Sequence, residues 1–329
     1  MKVAVVHQAV PPGAAPDVAD VLDQVQAVQV ALRELGHEVL THEVTLDLGA
    51  LDRALTAERP DVVVNLVEEL GGQGQLGALV PAFLAARRLP FTGSRAPVLC
   101  LADDKLAAKA RMVELELPTP AWRWVGEPWR PVRPRGAVIV KSVFEHGSLG
   151  LDDDAVVRVV DDAALDALIA ERAPKLGGAA FAEAYVHGRE LNISVLEVDG
   201  RPRCLPPAEI SFLGLPEGAP HLVGYDAKWT PGSAEWDATP RKQAFTPDDH
   251  ALLERLASLA RQAFVGFGLA GYGRVDFRVD EGGHPFILEV NANPCLAPGA
   301  GFEAALTAAG LSFTEAVGHL LARALETRT

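Results

Sequence analysis

The segment from residue 274 to residue 291 alternates apolar and polar residues with a period of two, the pattern of a β-hairpin with one buried face. Between the two runs, Gly282 and Gly283 tolerate positive φ angles and favour a tight turn. The turn fixes which residues face each other, because a shift by one position moves every side chain to the opposite face. The apolar positions of the two predicted strands are Val275, Phe277, Val279, Phe286, Leu288 and Val290.

The polar face of this hairpin brings two carboxylates together. In the register of a tight turn, Asp276 lies opposite Glu289, and Arg274 lies opposite Asn291. Facing carboxylates repel, and a divalent cation between them removes that penalty. Asp, Glu and Asn supply the oxygen ligands that magnesium prefers, and an arginine beside them suits a phosphate or a developing oxyanion. A solvated face with an Arg–carboxylate pair explains the spacing equally well, although the residues that follow, 291–294 (Asn-Ala-Asn-Pro), are an unusual end for an exposed strand.

The first 94 residues alternate predicted strands with predicted helices, which indicates a parallel α/β layer. The strands are expected at 3–6, 38–41 and 62–66, and the helices at 17–35, 50–58 and 77–88. No Gly-x-Gly-x-x-Gly follows the first strand, so a dinucleotide-binding oxidoreductase is set aside. The unit closes at 91–94, where we place the first domain boundary.

The rest of the chain reads as mixed helices and strands. Helices are expected at 98–115, 163–172, 248–265 and 312–326, and strands at 137–141, 179–184, 191–198 and in the hairpin at 273–291. A loop at 142–150, a segment at 155–160 and an irregular stretch at 212–240 complete the prediction.

Composition limits the partners. A chain of 329 residues with 49% apolar residues is long enough for two or three cores. Its net charge of -14 disfavours nucleic acid and anionic membranes but does not exclude ATP, which local cations and metal can bind. Three scattered cysteines and the lack of an apolar run near about 18 residues predict a soluble cytoplasmic protein.

Several further motifs occur in a specific order along the chain. They are 91–94 (Phe-Thr-Gly-Ser), 103–105 (Asp-Asp-Lys), 117–120 (Leu-Pro-Thr-Pro), Lys141 with 147–150 (Gly-Ser-Leu-Gly), 183–190 (Glu-Ala-Tyr-Val-His-Gly-Arg-Glu), 225–229 (Tyr-Asp-Ala-Lys-Trp) and the two hairpin strands. Together they resemble the D-alanine–D-alanine ligase branch of the ATP-grasp enzymes over nearly the whole chain. The resemblance implies an α/β (α+β) ATP-grasp fold with three domains: an N-terminal α/β domain at 1–94, a central subdomain at 95–185 and a C-terminal subdomain at 186–329.

The resemblance assigns phosphate contacts to four residues of the central subdomain. Lys105 and Lys141 match the two lysines that contact the ATP phosphates. Gly147 and Ser148 match the flap that folds over the phosphates, with Ser148 also in the catalytic set. Without the other motifs, a lysine at the surface and an ordinary turn would explain these residues.

The adenosine contacts are likewise implied by the resemblance. Glu183 would accept a hydrogen bond from the adenine amine, and the backbone of Tyr185 and Val186 would contact the ring edge. Glu190 matches the carboxylate that binds the ribose. A strand with charged ends is the alternative for this segment.

The same resemblance implies a reaction centre on the hairpin. Asp276, Glu289 and Asn291 match the ligands of two magnesium ions, for which Mn²⁺ is an acceptable substitute. Arg274 matches the arginine that stabilises the tetrahedral intermediate and the transferring phosphate. Lys228 lies on the loop that closes over the site and is a candidate to bind a substrate carboxylate.

Three departures from the ligases lie on the substrate side. The loop after the first strand carries no carboxylate before Asp17, whereas the ligases have a glutamate there for the ammonium group of the first D-alanine. Trp229 stands where the family has a tyrosine, and the segment 295–302 (Cys-Leu-Ala-Pro-Gly-Ala-Gly-Phe) lacks the serine that binds the second carboxylate. Glu68 and Glu69 are candidates to replace the missing glutamate, although an exposed pair at a helix start is the more ordinary interpretation.

The sequence therefore predicts an ATP- and Mg²⁺-dependent carboxylate–amine ligase that forms an amide or dipeptide through an acyl phosphate, releasing ADP and phosphate, with altered substrate specificity. The alternative is an inactive ATP-binding regulatory module. Family members are often dimers, so a homodimer is a further expectation. The single histidine of the flap, His146, is expected to be exposed to solvent and without a role.

Overall fold

The computed structural model describes residues 1–134, 136–158, 161–215 and 218–326. The end of the expected 155–160 segment and two residues of the expected irregular stretch lie outside the described residues. Strands β1 (Lys2–Gln8), β2 (Glu38–Val44) and β3 (Val62–Asn65) form a parallel sheet in the order β2-β1-β3. This confirms the predicted parallel layer, and its helices are α1 (Pro16–Ala19), α2 (Val21–Glu34), α3 (Leu48–Glu58) and α4 (Leu79–Ala86).

The predicted helix at 98–115 is two helices, α5 (Ala96–Asp103) and α6 (Lys105–Glu114). The break lies at Asp104, which has an extended backbone and accepts hydrogen bonds from the Leu106 and Ala107 amides, at 2.9 and 3.0 Å. This is an N-cap, and it starts a new helix at Lys105. The cap thereby fixes the direction of a lysine that the sequence predicts to contact phosphate.

The middle of the chain forms a four-stranded antiparallel sheet. Its strands are β4 (Trp122–Arg123), β5 (Val138–Ser142), β6 (Val156–Val157) and β7 (Ala180–Ala184), in the order β4-β7-β5-β6. Helix α7 (Asp162–Arg172) packs on it through Leu165 and Ile169, which are buried against Val140 and Ala182. This small core is separate from the others.

The C-terminal residues form a second antiparallel sheet, in the order β11-β10-β8-β12-β13 with β9 also paired to β8. The strands are β8 (Arg189–Val198), β9 (Arg201–Cys204), β10 (Ala208–Ile210), β11 (Arg241–Lys242), β12 (Tyr272–Val279) and β13 (Pro285–Asn291). The helices are α8 (Tyr225–Trp229), α9 (Ala234–Ala238), α10 (His250–Phe267), α11 (Gly301–Ala308) and α12 (Phe313–Glu326). Helices α8 and α9 lie within the stretch expected to be irregular, and β9, β10, β11 and α11 were not predicted.

The hairpin of β12 and β13 has the predicted register at its polar face. Asp276 lies opposite Glu289 and Arg274 opposite Asn291, as predicted. The apolar set was wrong near the turn, because Ile287 is the residue opposite Phe277.

The cause is the turn. The Asp280 amide donates to the His284 carbonyl at 3.1 Å, so the loop holds three residues rather than two. A bulge at Leu288, which has no partner on β12, compensates for this extra residue. The two irregularities cancel, and the polar face keeps its register.

The N-terminal sheet and the C-terminal residues share one hydrophobic core. Val3 and Leu32 of the first unit are buried in the same cluster as Leu196 of β8 and Leu320 and Leu321 of α12. Helices α5 and α6 pack against the C-terminal sheet, and Leu106 of α6 also packs against Trp122 and Phe181 of the central sheet. The predicted boundaries at 94 and 185 remain predictions, and the cores cross both. No helix in the described ranges has the length and apolar character needed to cross a bilayer.

Candidate active site

A cavity of about 880 Å³ is lined by residues of all three predicted domains. Every predicted site residue lines it. The bulged residue of β13, Leu288, also contributes to its wall. The sequence motifs, which are spread over most of the chain, therefore meet in one place.

Glu183 is held by two lysines. Lys141 Nζ donates to Glu183 Oε1 at 2.8 Å, and Lys109 forms an ion pair with the other carboxylate oxygen. Lys109 and Glu183 are each 1% exposed, and Lys109 also donates to Thr119 Oγ1 at 2.8 Å. Burial alone would raise the pKa of Glu183, but the two lysines hold that pKa below its ordinary value.

This pairing was not predicted. Lys109 lies one helical turn after Lys105 on the buried face of α6, and that four-residue spacing is the signal that could have identified it. Because the oxygens of Glu183 already bind lysines, the contact of this side chain with the adenine amine stays a prediction.

His146 is the second residue that sequence reasoning missed. Its Nδ1 lies 2.9 Å from Glu289 Oε1 and its Nε2 lies 3.3 Å from Asp103 Oδ1, so the expectation of a solvent-exposed side chain is wrong. Burial and Lys105 lower the pKa of His146, but Glu289 and Asp103 outweigh them and raise it to about 9. The flap therefore carries an imidazolium at neutral pH.

Lys105 lies beside this ion pair. Its Nζ donates to the Glu145 carbonyl at 2.8 Å, and burial lowers its pKa. In Glu289, burial acts to raise the pKa, but Lys105, His146 and Arg274 hold it well below the ordinary value. The carboxylate stays ionised and can bind a cation.

Arg274 and Asp276 form a bidentate pair on the hairpin. Arg274 Nε and Nη2 donate to the two oxygens of Asp276 at 2.8 and 2.9 Å. Asn291 faces the same cavity, and its Oδ1 accepts a hydrogen bond from the Asn293 amide at 2.9 Å. Surrounding cations thus offset the repulsion between the two facing carboxylates.

The donor set fits a magnesium ion that arrives with phosphate. Among the described residues, no group of three or more His, Cys, Asp or Glu side chains is arranged to hold a metal on its own. Asp276, Glu289 and Asn291 offer two carboxylates and one amide oxygen. Magnesium in nucleotide sites commonly takes one or two carboxylates and completes its shell with phosphates and water.

The flap is tied to the helix that faces it. Gly147 and Ser148 have φ angles of 68° and 65°, in the left-handed region. Trp229 Nε1 donates to the Gly147 carbonyl at 2.9 Å, and Ser148 Oγ donates to the Val223 carbonyl at 2.8 Å. On the same helix α8, burial and then Arg274 lower the pKa of Lys228. These bonds close one side of the cavity.

The predicted adenosine segment follows β7. The Tyr185 amide donates to the Ala137 carbonyl at 3.0 Å, whereas the Val186 amide donates to no acceptor among the described residues. Glu190 is paired with Arg278 Nη2 at 2.7 Å. The Val186 amide is therefore available to a ligand, and Glu190 lines the cavity with its charge already balanced.

The opposite side of the cavity is acidic. No lysine or arginine of the described residues forms an ion pair with its four carboxylates, Asp17, Asp20, Glu68 and Glu69. Glu68 accepts a hydrogen bond from Gln24 Nε2 at 2.8 Å, and burial raises its pKa to about 7. Glu68 and Glu69 lie in a loop that lines the cavity, so the interpretation as an exposed helix start is wrong.

Two of these carboxylates are hydrogen-bonded to segments that depart from the ligases. Tyr225 OH donates to Asp17 at 2.9 Å, and Cys295 Sγ donates to Asp20 at 2.9 Å. Burial raises the pKa of the Cys295 thiol, which keeps it protonated as a donor. The substituted segments are thus integral to the acidic side.

Known proteins are similar to this chain in sequence. The family model described as the D-ala D-ala ligase C-terminus matches residues 136–322. A D-alanine–D-alanine ligase of Moorella thermoacetica is 32% identical over 91% of this chain and 93% of the relative. A D-alanine–D-alanine ligase of Desulforudis audaxviator is 31% identical over 92% of each chain.

Solved structures show the same architecture. The D-alanine–D-alanine ligase from Bacillus anthracis complexed with ATP superposes with a TM-score of 0.73 at 18% identity, covering 100% of this chain and 98% of that one. The D-alanyl-alanine synthetase A from Vibrio cholerae also gives 0.73 at 18% identity, covering 99% and 98%. The predicted ATP-grasp fold is confirmed.

Proposed function

Because this chain belongs to the D-alanine–D-alanine ligase family of ATP-grasp enzymes, we propose that it joins a carboxylate to an amine through an acyl phosphate, in a reaction that requires ATP and Mg²⁺. The family makes the chain an ATP-dependent ligase. The observation that supports the full mechanism is the hairpin register, which places Arg274, Asp276, Glu289 and Asn291 on one wall of a cavity that also contains Lys141.

In this proposal the phosphates lie between two sets of charges. Lys105 and Lys141 offset the phosphate charge from the central subdomain, and the flap donates backbone amides. Asp276, Glu289 and Asn291 would hold magnesium, which neutralises charge on the transferred phosphoryl group.

Two chemical steps follow. An oxygen of the donor carboxylate attacks the γ-phosphorus, and ADP leaves. The amine then attacks the acyl carbon, and phosphate leaves. Arg274 is positioned to stabilise the oxyanion of this second step, while Lys228 provides a second cation over the site.

We further propose that the substrates differ from two molecules of D-alanine. The acidic side of the cavity is built from Asp20, Glu68 and Glu69 rather than from a glutamate in the loop after β1. An ammonium group needs a counter-charge when it leaves water, and these carboxylates supply one from a different direction. The donor is therefore an amino acid or related carboxylate that places its ammonium group there.

A phosphate-release screen over amino acids and amines, including D-alanine, tests the proposal. Mass spectrometry identifies any amide formed. We expect release of phosphate that depends on both substrates, with one amide per ADP. ATP binding without phosphate release for any pair would support the inactive regulatory module instead.

A further inference from the structure

Arg241 is a cation of the cavity that the roles above leave unused. It begins the edge strand β11, opposite Ile210, and its side chain lines the cavity. Its Nη1 donates to the Gly299 carbonyl at 2.9 Å, which holds the guanidinium group against the loop at 295–301. Within the described parts of the chain, no carboxylate lies within ion-pair distance of it; Glu303 contacts the Gly299 amide at 3.3 Å instead.

The other arginines of the cavity are neutralised. Arg274 is paired with Asp276 at 2.8 Å, and Arg278 with Glu190 at 2.7 Å. Burial, and then repulsion from Arg274, lower the pKa of Arg241. An anion bound between them would remove this repulsion.

The surroundings of Arg241 suit a planar anion. One of its five N–H donors is occupied by Gly299, so the guanidinium group retains donors for a bidentate contact with a carboxylate. A Cβ atom at Gly301 would lie 3.9 Å from Nη2, and glycine leaves that space empty. In the same loop, Ala300 has no hydroxyl group with which to bind a carboxylate.

We propose that Arg241 binds the non-reacting carboxylate of the amine substrate, so that this substrate is an amino acid rather than a simple amine. The inference rests on the proposed ligase function. The reacting carboxylate of the donor belongs beside Arg274 and the phosphates, whereas Arg241 lies against Gly299 of the loop at 295–301. Arg241 is thus a residue that determines specificity, and it takes no part in the chemical steps.

Matched pairs of amine substrates test this assignment, each pair consisting of an amino acid and its carboxamide. The carboxamide can act only as the amine, because it has no free α-carboxylate that ATP could phosphorylate. With the wild-type enzyme, Mg·ATP and a fixed donor, we expect the amino acid to be used with a lower KM than its carboxamide. In Arg241→Gln, we expect the KM for the amino acid to rise about 10- to 100-fold, whereas the KM for the carboxamide changes less than about threefold.

Two further variants serve as controls. Arg241→Lys keeps the charge and should recover part of the preference for the amino acid. Lys242→Gln removes a positive charge from the next residue, whose Nζ lies 3.6 Å from Glu209, and should leave both KM values unchanged.

The outcomes separate the two proposals. If the wild-type enzyme forms no amide with any pair, the proposed function fails, and the role of Arg241 fails with it. If the wild-type enzyme forms amides but Arg241→Gln changes the amino acid and the carboxamide by the same factor, the role of Arg241 alone is overturned.

Discussion

The proposed nucleotide side of the cavity, around Glu183 and Glu289, and its acidic side, around Asp20 and Glu68, differ in how their charges are balanced. On the nucleotide side, each buried carboxylate has a cationic partner: Glu183 has Lys109 and Lys141, and Glu289 has His146. On the acidic side, Asp20 and Glu68 are paired only with neutral hydrogen-bond donors among the described residues.

The paired carboxylates form a permanent ionic framework, whereas the carboxylates of the acidic side can still bind a cationic ligand. Paired groups keep their positions with or without a ligand, because removal of one partner leaves a buried charge. Carboxylates without a cationic partner are stabilised most when a cationic ligand binds beside them. We therefore expect changes on the nucleotide side to disturb folding and ATP binding, and changes on the acidic side to disturb the choice of substrate.

The largest effect is expected for Arg274→Ala. Loss of the oxyanion donor should lower the rate of amide formation about 1,000-fold, while the dissociation constant for ATP changes less than about threefold. Single-turnover product formation and ATP titration measure the two quantities. Arg255→Ala, a change at an exposed arginine of α10, is the control. If Arg274→Ala lowered the affinity for ATP as much as the rate of amide formation, Arg274 would be a nucleotide-binding residue rather than one that acts in the reaction.

Next in size is the effect of Lys109→Met on stability. The variant leaves Glu183 with a single buried partner, so the free energy of unfolding should fall by about 3 kcal/mol. Urea unfolding followed by tryptophan fluorescence measures the change. Lys175→Met, at an exposed lysine, should have little effect. Equal stability of the two variants would contradict a permanent ionic framework.

Glu289→Gln should weaken Mg²⁺-dependent ATP binding by about 10- to 100-fold, because one carboxylate ligand becomes neutral. Titration calorimetry with and without Mg²⁺ separates the metal effect from the loss of the His146 pair. In the absence of Mg²⁺, wild type and variant should differ less. Glu254→Gln on the exposed face of α10 provides the control. An equal loss in both conditions would place the metal elsewhere.

The smallest effect concerns pH and Glu68. Its pKa of about 7 lies above the ordinary 4.5, so between these values the folded protein binds more protons than the unfolded chain. Stability from this group is therefore present below pH 4.5 and is lost as the pH rises through 7. Glu68→Gln should raise the Tm at about pH 8 and leave it unchanged at about pH 4.

The same variant also tests the substrate side. The KM for the amine-bearing donor should rise below pH 7 in the wild type, where Glu68 becomes neutral, and should stay high at all pH values in Glu68→Gln. Glu171→Gln on the exposed face of α7 is the matched control. A pH profile unaffected by Glu68→Gln would remove this residue from donor binding.

Short-range patterns were sufficient to predict the parallel α/β layer and the pairing of the polar hairpin residues, whereas the ATP-grasp fold was predicted from the family resemblance of motifs along the chain. Period-two alternation and a glycine turn were enough for the pairing of Asp276 with Glu289. The burial of Ile287 was not predictable in this way, since a longer turn and a bulge shift the strand in opposite directions.

Groups that depend on distant partners were the ones missed. His146 gained a role only because the flap lies against β13, which is 143 residues later in the chain. Arg241 is on a two-residue strand that has no sequence pattern of its own. Lys109, by contrast, carried a detectable signal in its spacing from Lys105.

Helix α12 is synthesised long after the parallel sheet, yet it packs against that sheet. At about 5–20 residues per second, about 12–50 s separate the synthesis of β3 from that of residues 313–326. Until then Val3, Val5 and Leu32 lack part of their apolar cover. During this interval the nascent parallel sheet exposes apolar surface that chaperones can protect.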